Sequence, residues 1–153
     1  MANSQAMTSV FKRDVMMARH AFSATLIRAA TTLDTFNIAL FLASASRGAA
    51  DTVYSTTGEL AGTGNYTQGG IALTNATAPA LDTTIAHWTP SASASWAALT
   101  SSGSFDAAVI YNDTHATKYE VSVHTFGAQS ITAGTFTLTM PTNDGTTGLI
   151  RFA

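Results

Sequence analysis

The feature that most constrains this chain is a two-residue alternation of apolar and polar side chains in short runs. It is clearest at 119–124, where Tyr, Val and Val alternate with Glu, Ser and His, and at 135–140, where Phe, Leu and Met alternate with Thr. Successive side chains of a β-strand point to opposite faces, so each run predicts a strand with one buried and one solvated face. The pattern indicates an all-β fold.

Similar runs recur about every ten residues from Phe36 onward, with Gly, Asn, Ser and Thr between them. They occupy 36–42, 71–73, 85–88, 95–99, 105–111, 119–126, 135–140 and 148–152. Many short strands with such turns are typical of a sandwich or barrel. We predict a jelly-roll-like antiparallel β-sandwich of about eight strands over 34–153, preceded by an N-terminal arm or short helix over 1–33.

Two passages of the chain are rich in residues that form turns. Asp144-Gly145 lies between the last two runs and predicts a tight hairpin that pairs them antiparallel. The glycine-rich passage 58–70 allows tight turns, but no lysine follows it and no long helix opens after it. It therefore predicts a structured loop and not a phosphate-binding site.

The charge pattern bears on the partners. Charged residues make up 10% of the chain, against roughly 25% in typical soluble domains, and the formal net charge is −2. Nucleic-acid binding requires a clustered basic face, so nucleic acid is not an expected partner. The longest apolar stretch, 38–45, is far shorter than the roughly 18–20 residues of a membrane span. A weakly charged chain with 46% hydrophobic residues favours a subunit covered by its neighbours, although secreted β-proteins and adhesins share this bias.

The sequence offers little for catalysis or metal binding. Cysteine is absent, Gly-x-Ser-x-Gly is absent, and the nine carboxylates are scattered, mostly near predicted turns. The histidines lack metal-binding spacing, and we interpret them as surface or packing residues: His20, His87, His115 and His124. We expect no enzyme activity and no cofactor.

Candidate contact residues fall in two places. The N-terminal segment holds four of the seven basic residues within its first 28 positions, and a basic arm on a neutral body often reaches an acidic neighbour. The glycine-rich loop holds a glutamate that is the best single candidate for a specific contact. The interaction candidates are Phe11, Lys12, Arg13, Arg19, Glu59 and Tyr66.

Several short motifs follow one another in a fixed order along the chain. They are Phe11-Lys12-Arg13, His20-Ala21-Phe22, the run 53–59, the glycine-rich run 62–70, the run 107–112, Phe126-Gly127 and the run 134–141. In this order they resemble small jelly-roll cement or decoration proteins of tailed, podovirus-like bacteriophage capsids. The resemblance implies a virion protein on the outer capsid surface, assembled in the host cytoplasm, that bridges major capsid protein subunits. It also implies self-association as a dimer or trimer, without nucleic acid or membrane, and carries no catalytic residue.

An alternative stays open, namely a head-fibre, tail-fibre or adaptor subunit with a glycan-binding β-sandwich. Its aromatic residues could stack on sugars, although core and interface packing is the commoner role of such side chains. The residues concerned are Tyr54, Tyr66, Trp88, Trp96 and Tyr111.

Overall fold

The computed structural model describes residues 2–8, 11, 15, 19–20, 22, 33–74, 78–83 and 85–152. Within these residues every named element is a β-strand. The strands are β1 (Ala6–Met7), β2 (Phe36–Leu42), β3 (Ile71–Ala72), β4 (Ala80–Asp82), β5 (Ile85–Trp88), β6 (Ala94–Leu99), β7 (Phe105–Asn112), β8 (Glu120–Gln129), β9 (Gly134–Leu138) and β10 (Ile150–Phe152).

The strands form three sheets, and every strand pair is antiparallel. The largest sheet has the order β1-β8-β7-β2-β3, the second has the order β10-β5-β4, and β6 pairs with β9 alone. The prediction of an all-β antiparallel sandwich is confirmed. All eight predicted runs correspond to strands, while β1 and β4 were not predicted.

The predicted hairpin between the last two strands is wrong. β9 pairs with β6, and β10 pairs with β5. Asp144 accounts for the change, because its Oδ1 accepts the N–H groups of Thr146 at 2.8 Å and Thr147 at 2.6 Å. Its carbonyl also accepts the N–H of Gly148 at 2.9 Å. These local bonds form a compact loop, as Asp side chains often do in turns, and the chain leaves the loop toward another sheet.

The central strands β2 and β7 are buried on both faces. Ile38 and Leu40 belong to the main core, which also contains Trp88, Trp96 and Ile150 of the other sheets. The opposite face of β2 and β7 belongs to a second cluster, formed by Ala39, Phe41, Ala45, Ala107, Val109, Tyr111 and Val123. Two dry faces on one strand explain why 36–42 reads as a nearly continuous apolar run.

The predicted wet face of β8 is instead largely buried. Glu120 and Ser122 are buried, and His124 is half-buried. The pairing with β7 shifts register between Ile110 and Tyr111, which leaves Val121 as an extra residue on β8. A β-bulge of this kind changes the face to which the following side chains point, so simple alternation fails there.

The N-terminal segment contributes to the sandwich. β1 pairs with the outer side of β8 at Ser122 and Val123. Further along the segment, Phe11 is fully buried in the core and Phe22 stacks on Phe36, with ring centroids 4.9 Å apart. The described residues of 1–33 thus pack against the sheets, and the boundary after residue 33 stays a prediction.

Candidate interaction surfaces

Glu59 lies in the glycine-rich loop, with 3% of its surface exposed, and three donors bind its carboxylate. Oε1 accepts the hydroxyl of Tyr66 at 2.7 Å and the N–H of Gly69 at 2.8 Å. Oε2 accepts the hydroxyl of Tyr54. Burial, with the glutamate hydrogen bond as a second cause, raises the pKa of both tyrosines well above the usual range. The hydroxyls therefore stay protonated and serve as donors.

This network attaches the loop 58–70 to the edge of β2. Leu40 donates its N–H to the Tyr66 hydroxyl at 2.9 Å, and its carbonyl accepts the N–H of Leu60 at 2.8 Å. Gly70 has a φ of +68°, and a Cβ there would lie 1.9 Å from the carbonyl oxygen of Ile38. Glu59 and Tyr66 contact their own chain, and each is 3% exposed. Their role as contacts to a partner stays a prediction.

The candidate contact residues of the N-terminal segment differ in how far they are exposed. Phe11 has no exposed surface, so it serves the core and offers nothing to a partner in this fold. Arg19 is half-buried, and its guanidinium carbon lies 5.2 Å from the centroid of the Tyr119 ring, within cation–π range. Lys12 and Arg13 lie outside the described residues.

A second buried carboxylate, Glu120, has a different environment. It has no exposed surface and forms an ion pair with Arg47 through Oε1. Within the described part of the chain its Oε2 has no hydrogen-bond partner. Burial raises the pKa of Glu120 to about 7, although Arg47 acts to lower it and Asp51 adds to the rise.

The five aromatic residues considered for glycan stacking do not form an exposed platform. Trp88, Trp96, Tyr66 and Tyr111 are buried. Tyr54 is half-buried and stacks on Tyr111, with ring centroids 4.1 Å apart. Four of the five rings are therefore closed to a sugar, and a single half-buried ring is not a stacking platform.

The histidines occupy packing positions. His87 is buried, with Nδ1 3.0 Å from Oδ1 of Asn143, and His20 is buried beside Phe11, with ring centroids 5.0 Å apart. His124 is half-buried, and its Nε2 lies 2.8 Å from Oγ of Ser122. The described residues contain no group of three or more His, Asp or Glu placed to hold a metal ion.

Among the described residues, two of the three exposed large apolar side chains lie on the three-stranded sheet. Leu81 of β4 is 70% exposed, and Phe152 of β10 is 37% exposed. Both residues pair with Ala86 of β5, one on each side, so the three side chains share one face of the sheet. We call Leu81, Ala86 and Phe152 the apolar row.

The apolar row borders two further features. A cavity of about 240 Å³, lined mainly by apolar side chains including Phe22, Trp88 and Ile150, also reaches Ala86 and Phe152. Beside it, all three residues of β4 are exposed, and among the described residues no strand pairs with the outer side of β4. An unpaired strand edge next to apolar surface is a template for binding another chain.

Sequence reasoning did not find this surface. β4 has only three residues and no alternation, and single exposed leucines are common on protein surfaces. The only signal was its position beside the run 85–88, which could have suggested an antiparallel neighbour.

In the described residues no helix is long and apolar enough to cross a membrane. Comparison of the chain with protein-family models, with curated proteins and with solved structures finds no match.

Proposed function

We propose that this protein is a structural component of a bacteriophage virion, a cement protein that binds the outer capsid surface and bridges major capsid protein subunits. The observation that carries the proposal is the unpaired edge of β4 beside the apolar row. The motif order that resembles phage cement proteins supplies the identity of the partner.

The geometry suits binding of an extended segment. A strand of the capsid protein would pair with β4 through backbone hydrogen bonds, and its apolar side chains would cover Leu81 and Phe152. Removing about 100 Å² of apolar surface from water contributes roughly 2.5 kcal/mol. Many such contacts, each modest, would hold the protein on a repeating lattice.

The low charge of the chain supports the same proposal. Lysine, arginine, aspartate and glutamate make up 10% of the residues, so neighbouring copies repel one another weakly. A protein that binds the assembled shell and not its separated subunits stabilises the shell by mass action. Cementing therefore requires no chemistry beyond selective binding.

The test is co-sedimentation of the purified protein with stripped capsids made of the major capsid protein of the same phage. We expect rebinding in a copy number near that of the lattice, together with greater resistance of the shell to heat. Rebinding of only a few copies per particle, or of none, would contradict the proposal.

Two variants locate the contact. Leu81→Asp places a charge in the apolar row and should abolish rebinding. Thr135→Asp places the same charge on an exposed position of β9 and should rebind like the wild type. Equal rebinding by both variants would show that β4 is not the contact.

A further inference from the structure

A second cavity lies where β1, β8 and the C-terminal residues meet. Its volume is about 480 Å³, within the range of roughly 300–1,000 Å³ found for ligand sites. The residues that line it include Gln5, Met7, His124, Leu149 and Arg151. We call this cavity the basic cleft.

The charge in the basic cleft is positive. None of the residues that line it carries a carboxylate, and Arg151 supplies a permanent charge. Nη1 of Arg151 donates to the carbonyls of Gly145 and Thr146, which holds the side chain in place. The other donors of the guanidinium make no hydrogen bond or ion pair with the described residues, so they can bind an anion.

The carboxylate of Asp144, on the loop that holds Arg151, binds other groups. Both carboxylate oxygens of Asp144 accept hydrogen bonds from its own loop, from the N–H groups of Thr146 and Thr147 and from the Thr147 hydroxyl. Among the described residues Arg151 has no ion pair within 4.0 Å. The guanidinium therefore lacks the carboxylate partner that such groups usually bind in pairs.

The strand beside the basic cleft is only partly paired. β1 covers β8 at Ser122 and Val123, whereas β8 continues to Gln129. In the described part of the fold no strand pairs with that side of β8 after Val123. A smaller cavity of about 230 Å³ shares Gln5 and His124 with the basic cleft and extends along β8 to Ser122. His124, the residue after Val123, lines both cavities, so the basic cleft lies beside the start of the unpaired edge.

We propose that the basic cleft binds a carboxylate side chain of an extended acidic segment of a partner protein, whose backbone pairs with β8 beyond Val123. The carboxylate accepts hydrogen bonds from Arg151, and the segment lies along β8 beyond the residues that β1 covers. Alternate side chains of a strand point to one face, so a repeat of acidic residues at every second position fits best. That the partner is the capsid protein rests on the proposed function, but the binding chemistry does not.

The experiment is an NMR titration of the isotopically labelled full chain. The probe is a capped eight-residue peptide of alternating Thr and Glu, and the matched control peptide replaces Glu by Gln. We expect the acidic peptide to shift signals of 123–129 and of Arg151, and to bind at least about tenfold more tightly than the control. Equal binding of both peptides, or no shift with either, would overturn the proposal.

Variants and a small anion sharpen the result. Arg151→Gln should lose the preference for the acidic peptide, Arg151→Lys should keep part of it, and Lys118→Gln, which removes an exposed charge elsewhere, should leave it unchanged. If Arg151→Gln keeps full affinity, the guanidinium is not the anchor and the proposal fails. Sodium acetate is the small-anion probe. If it reproduces the Arg151 shifts and the peptide shifts no signal along 123–129, the cleft binds a free anion and the proposed segment is wrong.

The titration uses no capsid, so it fails or succeeds independently of the proposed function. Loss of peptide binding by Arg151→Gln with normal capsid rebinding would place the acidic partner outside the capsid. Capsid rebinding that fails for the wild type leaves the peptide result intact.

Discussion

Glu59 and Glu120 are both buried glutamates, but different groups stabilise their carboxylates. Glu59 accepts three hydrogen bonds from neutral donors on its own loop and from Tyr54. Glu120 has the guanidinium of Arg47 on one oxygen and no hydrogen bond from the described residues on the other. Several neutral donors hold a carboxylate without burying a second charge, whereas an ion pair must also desolvate its cation. We expect the Glu59 region to be stable and the Glu120 region to respond to pH.

The largest expected effect is at Glu59. Glu59→Ala leaves the two tyrosine hydroxyls and the Gly69 N–H without their acceptor, each costing about 1–3 kcal/mol. We expect the free energy of unfolding to fall by about 4 kcal/mol, measured by urea denaturation. Tyr66→Phe, which removes one of these donors, should cost about 1–2 kcal/mol. A loss below about 1 kcal/mol for Glu59→Ala would contradict the comparison.

Gly70→Ala tests the loop without changing the carboxylate. The positive φ and the approach to the Ile38 carbonyl leave no room for a Cβ, so the loop must move away from β2. We expect a loss of about 3 kcal/mol, with increased hydrogen exchange at the Leu40 amide. Unchanged exchange at that amide would show that the loop does not protect the edge of β2.

The pH dependence of stability distinguishes Glu120 from His124. The pKa of Glu120 is raised to about 7 from its ordinary 4.5, so its contribution to stability is fully present below pH 4.5 and is lost as pH rises toward 7. Burial lowers the pKa of His124 to about 4 from its ordinary 6.5, so its contribution is present above pH 6.5 and is lost as pH falls toward 4. Each contribution amounts to about 3 kcal/mol. Between pH 4.5 and 6.5 the pH slopes of the two contributions nearly cancel, so the free energy of unfolding changes little with pH.

Single substitutions should separate these two slopes. Glu120→Gln leaves the His124 contribution, so unfolding free energy should rise with pH between 4.5 and 6.5. His124→Gln leaves the Glu120 contribution, so it should fall over the same interval. Denaturation at several pH values measures both, and profiles parallel to that of the wild type would refute the assignment.

The smallest expected effect on stability is at the apolar row. Leu81→Asp alters a side chain that is 70% exposed, so the free energy of unfolding should change by no more than about 0.5 kcal/mol. Thermal unfolding checks this, and a loss above about 2 kcal/mol would mean that Leu81 serves the fold.

The sequence predicted the strands where burial and alternation agree. β2 and β5 begin and end where the apolar runs do, since nothing local competes with the sheet there. Alternation failed on β8 because the extra residue at Val121 changes the face that follows it. The prediction of a hairpin before β10 failed because the Asp144 side chain accepts hydrogen bonds from its own loop. Sequence alone does not distinguish such a loop from a tight β-turn.

The candidate residues were predictable as types of side chain but not as surfaces. Glu59 and Tyr66 were identified as candidates for contact with a partner, yet only the fold shows that they bind each other. β1 and β4 have two and three residues, too few for any period to be detected. The surfaces beside them depend on strands distant in sequence, so neither Leu81 nor the basic cleft could be found without the sheet order.

The pairing of β1 with β8 also has a consequence for synthesis. Ala6 lies opposite Val123, so β1 leaves the ribosome well before the strand with which it pairs. At 5–20 residues per second the delay is on the order of ten seconds. During that time β1 has no sheet to join, and the low charge of the chain does little to keep neighbouring nascent copies apart. Short strands or a chaperone must then prevent pairing with a neighbour on the same messenger RNA.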